Sequence, residues 1–301
     1  MAYSGIVTSE ESIARELSLG EVITKSFGLY RRDFVKYFLL FLVIDTVAGV
    51  AIALAVNGFN FASLPSNPTP EQLSSWWSSV SGALALFVLV TILALVLSAL
   101  AVAVTIRMAS DVIEGRGASF GSALKFGAFK LIFVFVLTLL VSMIVGLGSI
   151  LIVPGIILAI MFSLAVPALV IENAGIVGSL GRSRELVGHR WLKTFTTFLI
   201  LLVIVIAIEI VVSVIGLAFG GASLVVGSAL GAVAAPLIPI SLTVYFYSNR
   251  ARIAPPPGEQ APTGYGVSPQ PGMKFCPNCG TQLLVSAVFC ANCGARQPTQ
   301  V

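Results

Sequence analysis

Charged residues are scarce in this chain of 301 residues: only 10% are Asp, Glu, Lys or Arg, while 57% are hydrophobic. A soluble domain usually has about 25% charged residues. An aqueous fold cannot bury so much apolar surface, so the composition excludes an ordinary soluble protein and places most of the chain in a bilayer. The net charge of +4 is too small and too dispersed to indicate nucleic acid as a partner.

Catalytic motifs are also missing. The sequence contains no HExxH, GxSxG or Walker loop, and its one histidine, His189, lies beside basic and aromatic residues typical of a membrane interface. Acidic residues expected at the inner membrane surface (Asp111, Glu114, Glu172 and Glu185) show no metal-site spacing. We therefore expect no catalytic residues and a protein that is not an enzyme.

No signal-peptide core precedes Phe34, and we expect residues 1–33 to form a cytoplasmic amphipathic segment with a capping box from Ser18 to Glu21. Beyond it, six apolar segments are long enough to cross a hydrocarbon core of about 30 Å. They are 34–56, 82–106, 128–149, 154–171, 195–217 and 223–247. The fold predicted for 34–250 is an all-α integral membrane bundle of six transmembrane helices, with further interfacial amphipathic helices near 119–126 and 175–190.

The distribution of basic residues predicts the topology. If the N-terminus is cytoplasmic, all 17 Lys and Arg residues fall inside or at an inner helix end. The outer connections 57–81, 146–153 and 216–222 then contain none. Cytoplasmic loops carry the excess of Lys and Arg in membrane proteins. We therefore expect a multi-pass plasma-membrane protein, in contact with membrane lipids, with both termini cytoplasmic.

The first outer connection contains a helix-start pattern. Thr69 and Gln72 have capping-box spacing around Pro70, which favours a short helix that carries Trp76 and Trp77. Paired tryptophans beside a span are typical interfacial anchors. A ligand-binding role for them is the alternative.

Cysteine is confined to the C-terminal tail. A Pro- and Gly-rich linker (251–273) precedes a segment (274–297) in which Cys276, Cys279, Cys290 and Cys293 form two C-x2-C pairs, each followed by glycine. Four thiolates can close a tetrahedral Zn²⁺ site, which makes the predicted zinc structural because no coordination position stays open. Two disulfides or a redox pair are the alternatives, and a reducing cytoplasm disfavours disulfides.

This tail resembles the short β-type zinc ribbons at the ends of many archaeal and bacterial proteins. Such ribbons generally contact proteins or nucleic acid. Lys274 and Arg296 are the only basic residues in the segment, which is weak support for a phosphate-binding face. We therefore expect a cytoplasmic protein partner and consider nucleic acid unfavoured.

Two acidic residues fall inside predicted spans: Asp45 in the first and Glu209 in the fifth. No Lys or Arg lies at comparable depth to neutralise them. Ionisable residues within a membrane are functional candidates by default. The alternatives are an interhelical hydrogen bond and a proton- or cation-linked site.

Residues 167–172 (PALVIE), 179–183 (SLGRS) and 26–34 (SFGLYRRDF) resemble the membrane domain of glycerophosphoryl diester phosphodiesterases and related six-helix proteins of uncharacterised function. The resemblance covers residues 15–250, with Ser179 where the usual pattern has alanine. It implies that Glu172 and Arg182 lie at the inner membrane surface and form a salt bridge. It does not imply hydrolysis, because that activity belongs to a separate soluble barrel domain for which this chain has no room.

Two functions remain open from the sequence. The first is a non-catalytic membrane scaffold or lipid-associated protein whose zinc ribbon recruits a cytoplasmic partner. The alternative is a small transporter or permease component that uses Asp45 and Glu209.

Overall fold

The computed structural model describes residues 13, 15–57, 67–117, 119–188, 190–253, 273–275, 282–284, 286–289 and 296. The chain divides into two compact units, Met1–Ile253 and Ala254–Val301. The linker residues 254–272, His189 and the four cysteines lie outside the described residues.

The first unit is helical throughout its described part. Its α-helices are α1 (Leu19–Arg32), α2 (Phe34–Asn57), α3 (Pro70–Ile113), α4 (Phe120–Ser149), α5 (Val153–Met161), α6 (Ala165–Ile171), α7 (Ile176–Gly188), α8 (Trp191–Leu217), α9 (Ser223–Gly231) and α10 (Leu237–Ile253). A 3-10 turn, Gly220–Ala222, precedes α9.

Local capping patterns fix where two helices begin. The backbone N–H of Ser18 donates to Oε2 of Glu21 (2.8 Å), and the N–H of Glu21 donates back to Oγ of Ser18 (3.3 Å), which starts α1. Thr69 and Gln72 make the same reciprocal pair at the start of α3. From there α3 continues for 44 residues, so the short outer helix and the second span predicted separately form one helix. Likewise α4 merges the predicted interfacial helix at 119–126 with the third span.

Two of the predicted spans are interrupted. The fourth consists of α5 and α6 with a break at 162–164, and the sixth consists of α9 and α10 with a break at 232–236. Proline explains both positions, since it donates no backbone hydrogen bond and its ring clashes with the carbonyl of the residue four positions earlier, which lies in the break in both cases. Pro167 follows the first break, and Pro236 ends the second. A carbonyl freed in the second break, that of Val233, accepts a hydrogen bond from the hydroxyl of Tyr30 (2.6 Å).

Five helical stretches in the described residues are long and apolar enough to cross a membrane, and α9–α10 is not among them. They are Phe34–Leu54, Pro70–Ile113, Phe120–Ser149, Val153–Ile171 and Trp191–Leu217. The chain is therefore a helical membrane protein by length and composition. The six-span count is not confirmed, because the sixth predicted span, α9–α10, is not one of these five stretches.

Large apolar side chains on the long helices point outward, for example Leu89 (64% exposed), Ile132 (62%) and Ile210 (59%). Water would make such continuous exposed apolar surface unfavourable, whereas lipid does not. Several of the largest fully buried side chains lie instead near the predicted inner ends of α2, α3 and α10. Examples are Tyr37, Met108 and Phe246.

Glycines allow α4 and α5 to pack closely against each other. A Cβ placed on Gly155 would lie 2.5 Å from Oγ and 2.6 Å from Cα of Ser149, and one placed on Gly148 would lie 2.7 Å from Cδ1 of Leu158. These contacts are shorter than van der Waals distances. At Gly155 two of the atoms are backbone and cannot move aside, whereas at Gly148 the nearest atom is the end of a flexible leucine side chain. The chain reverses between the helices at Ile152, whose φ of 52° is in the left-handed region.

The second unit contains a two-stranded antiparallel sheet in its described part. Strand β1 (Met273–Phe275) pairs with β2 (Gln282–Leu284), with Lys274 opposite Leu283. An isolated bridge joins Phe289 and Arg296. These pairings agree with the β-type ribbon that the sequence predicts for the tail.

Candidate functional site

A cavity of about 530 Å³ lies among α2, α8 and the segment that runs through α9 into the break before α10. Its described lining residues are Asp45, Ala48, Gly49, Ile52, Glu209, Ser213, Gly216, Leu217, Ser223, Gly227, Ser228, Gly231 and Ala235. The two intramembrane carboxyls that the sequence singles out separately thus belong to one cavity.

The carboxyls lie well inside the predicted membrane region. Asp45 is 11 residues beyond Phe34, which begins α2, so it lies about 17 Å along the helix at 1.5 Å per residue. Glu209 is 8 residues before the end of α8 at Leu217, about 12 Å from that end. Because Leu217 and Ser223 also line the cavity, it extends from the turn between α8 and α9 down to both carboxyls.

Small residues make room for the Glu209 carboxyl. A Cβ placed on Gly231 would lie 3.5 Å from Oε1 and 3.6 Å from Oε2 of Glu209. A Cβ would therefore be in van der Waals contact with the carboxyl, and only a side chain that extends beyond Cβ would crowd it. Near the turn, a Cβ on Gly216 would lie 3.4 Å from the carbonyl oxygen of Ser223 and 3.7 Å from Cα of Gly227, so α8 and α9 approach closely there.

The cavity has an acidic character. Its described lining contains two carboxylic acids and three serines, and none of these lining residues is Lys, Arg or His. The described lining also contains no aromatic ring. Both carboxyls are half-buried, and negative charge removed from water without a basic partner is costly, so the geometry favours occupancy by a proton or another cation.

Sequence reasoning found the two acids and missed the small residues around them. Ser223, Gly227, Gly231 and Ala235 recur every fourth position and all line the cavity. Small residues at this spacing let helices approach closely in membranes. That periodicity is the signal that was available in the sequence.

Glu172 directly follows the last residue of α6, and Arg182 lies in the middle of α7. Nε and Nη2 of Arg182 donate to the two carboxylate oxygens of Glu172 at 2.8 and 3.0 Å, a bidentate pair that joins the two helices. Nη1 of Arg182 also donates to Glu185 (2.8 Å). These hydrogen bonds and the neighbouring carboxylates, against some desolvation, raise the pKa of Arg182. The pair joins α7 to the end of α6, and neither residue is among the described lining residues of the cavity.

A second ionic cluster attaches the segment before α1 to the start of α8. Glu16 accepts from Nζ of Lys193 and from Arg190 (3.3 Å), and Lys193 also donates to the carbonyl of Leu17 (2.8 Å). Burial acts to raise the pKa of Glu16, but its hydrogen bond to Lys193 and the nearby positive charges outweigh burial and lower it. The N–H of Leu17 donates to Oγ of Ser248 on α10 (2.8 Å).

The predicted zinc ligands Cys276, Cys279, Cys290 and Cys293 lie outside the described residues. Within the residues that the structure does describe, no group of three or more His, Cys, Asp or Glu side chains is arranged to hold a metal. In sequence, the first cysteine pair falls between the paired strands β1 and β2. Four thiol donors in two C-x2-C pairs, the first of them flanked in sequence by the paired strands, fit a structural zinc ion by their donor chemistry.

Comparison with known protein families bears on the C-terminal tail. Residues 275–297 match a zinc-ribbon domain. No curated protein and no solved structure matches the chain. The ribbon is thus supported by both the match and the β1–β2 hairpin. The resemblance of residues 15–250 to the phosphodiesterase membrane domain receives no support from these comparisons.

Proposed function

We propose that the helical unit is a small cation-linked transporter or permease component, with Asp45 and Glu209 as the groups that bind the cation. The observation that carries this proposal is the shared cavity of about 530 Å³, which is lined by two carboxyls from different helices and by no basic residue among the described lining residues.

The energetic argument rests on depth and charge. An acidic residue at the centre of a membrane helix costs about 2.5–3.5 kcal/mol even by the lowest scales. A structural role would be met by one carboxyl hydrogen-bonded between helices. Two carboxyls in one cavity raise the cost, because each opposes ionisation of the other. A bound cation or proton would offset this electrostatic cost, so the placement of two carboxyls in one cavity suits cation binding better than a purely structural role.

The broken α9–α10 segment supports the same function. Irregular backbone at membrane depth is tolerated where it is buried in protein or lines a cavity, and discontinuous helices often mark substrate sites in transporters. Here Gly231, the last residue of α9, and Ala235, which lies within the break, both line the cavity.

The test is a flux measurement in proteoliposomes that contain a pH-sensitive dye. We expect wild-type protein to couple an imposed cation gradient to a pH change. We expect Asp45→Asn and Glu209→Gln to reduce the rate at least about tenfold each, because each removes one ionisable group from the cavity. Glu71→Gln, which alters an exposed acid at the start of α3, is the matched control and should leave the rate unchanged. Unchanged flux in the double variant would refute the proposal.

A second function is carried by the ribbon. The zinc-ribbon match at residues 275–297 supports recruitment of a cytoplasmic protein, with the membrane unit acting as a scaffold among membrane lipids. Mild-detergent affinity purification of wild type and of a Cys276→Ser/Cys279→Ser variant tests it. A protein partner retained by wild type and absent from the variant supports recruitment, and identical bound proteins contradict it.

A further inference from the structure

We infer that the cavity takes a small primary alkylammonium ion, entering from the end of the bundle where α8 turns into α9. This inference rests on the proposed function and names its substrate class.

Volume separates an organic cation from a bare metal ion. Small-molecule pockets usually measure about 300–1,000 Å³, and this cavity of about 530 Å³ falls in that range. A dehydrated monovalent or divalent ion fills a small fraction of it. Most of the described lining is apolar, which suits the alkyl part of an organic cation better than the all-oxygen shell that hard cations such as Ca²⁺ prefer.

The lining distinguishes primary from quaternary ammonium ions. Quaternary ammonium ions are recognised by faces of aromatic rings, and the lining residues that the structure describes include none. A primary ammonium has three N–H donors, which match the carboxylate oxygens of Asp45 and Glu209 in charge-assisted hydrogen bonds. Its alkyl part then contacts the apolar wall formed by Ala48, Ile52 and Leu217.

The route of entry follows from where the lining residues lie along their helices. Leu217 ends α8 and Ser223 begins α9, so the cavity reaches the turn between these helices. The charge pattern of the sequence places this turn on the outer side, in a connection without Lys or Arg. A cation that arrives there meets no basic residue among the described lining before it reaches the two carboxyls.

Calorimetric titration of the purified full chain in nanodiscs tests the inference, with butylammonium, tetramethylammonium and sodium chlorides as probes. We expect butylammonium to bind at least about tenfold more tightly than tetramethylammonium, which lacks N–H donors. Binding should be lost in Asp45→Asn/Glu209→Gln and retained in Glu71→Gln.

Loss of binding in the double variant could also result from misfolding, so a second variant keeps both carboxyls and changes only the space in the cavity. A Cβ on Gly227 would meet no atom within 4 Å, so Gly227→Leu can project into the cavity without a clash at its base. It should weaken butylammonium binding at least fivefold while methylammonium binding changes less, because only the longer alkyl chain needs that space.

Other outcomes separate the inference from the proposed function. Equal or tighter binding of tetramethylammonium would overturn the substrate class. Binding of sodium alone, or cation-driven pH change with no alkylammonium binding, would overturn the inference and leave the proposed function standing. Absence of both binding and flux would overturn both.

Discussion

Replacement of Gly155 by alanine should destabilise the hairpin formed by α4 and α5. The added Cβ would lie 2.5–2.7 Å from three atoms of Ser149, two of them backbone atoms. Backbone cannot move aside as the end of a flexible side chain can. Insertion of one methyl group into a well-packed contact typically costs about 1–3 kcal/mol, and these distances place the expected loss in the upper half of that range.

Gly146→Ala is the matched control. Gly146 lies in α4 near the same hairpin, but a Cβ there would meet nothing within 4 Å. Both substitutions gain similar helix propensity, about 0.5–1 kcal/mol over glycine. The difference between the two variants therefore isolates the steric contact at Gly155.

Unfolding in mixed detergent–SDS micelles, followed by circular dichroism, measures that difference. We expect Gly155→Ala to be less stable than Gly146→Ala by about 1–3 kcal/mol. Equal stability of the two variants would show that α4 and α5 are not in the close contact described, and the reasoning about the hairpin would be wrong.

Three further predictions concern the ribbon and the ionic clusters. Purified protein should contain one zinc per chain by metal analysis, and Cys276→Ser should lower that content; zinc-free protein with folded tail would contradict the ribbon assignment. Glu172→Gln should destabilise the helical unit by about 1–2 kcal/mol in the same unfolding assay, because two charge-assisted hydrogen bonds to Arg182 weaken at a partly exposed site. Glu185→Gln is the control and should cost less, because the carboxylate of Glu185 is more exposed. The pairing of Glu16 with Lys193 lowers the pKa of the Glu16 carboxyl. The stabilisation from this pair should therefore be fully present above the ordinary Glu pKa of about 4.3 and be lost as the pH falls through the lower pKa of the folded state. If the stability difference between wild type and Glu16→Gln did not shrink on acidification, this prediction would be wrong.

Local features of the fold were readable from the sequence. The starts of α1 and α3 depend on residues three positions apart, Ser18 with Glu21 and Thr69 with Gln72, and both capping boxes form. Such contacts need no information from distant parts of the chain. The apolar segments likewise identified the membrane unit, because lipid exposure depends on composition over about 20 residues.

The breaks within the predicted spans were harder to predict from the sequence. Hydropathy over 223–247 is that of a span, yet the helix breaks at 232–236, and hydropathy does not record a missing backbone hydrogen bond at Pro236. The prolines were visible, but a proline produces either a kink or a full break, and the packing of neighbouring helices decides which. The hydroxyl of Tyr30, over 200 residues away in sequence, satisfies one freed carbonyl of this break.

The cavity required tertiary information. Asp45 and Glu209 are 164 positions apart, and each alone was ambiguous between a structural hydrogen bond and a functional site. Their common location depends on the packing of α2 and α8 against α9, which the repeat of small residues from Ser223 to Ala235 permits. The repeat of small residues is visible in the sequence, but the sequence does not show which helices pack against it.

Charge displacement on a solid-supported membrane tests the central claim most directly. Proteoliposomes would be exposed to a rapid step in cation concentration, with wild type, Asp45→Asn/Glu209→Gln and Glu71→Gln compared at equal protein density. The account predicts a transient current in wild type and Glu71→Gln and none in the double variant, because the charge enters a cavity lined by both carboxyls. Equal currents in all three proteins, or none in any, would contradict a cation-binding role for the Asp45–Glu209 cavity.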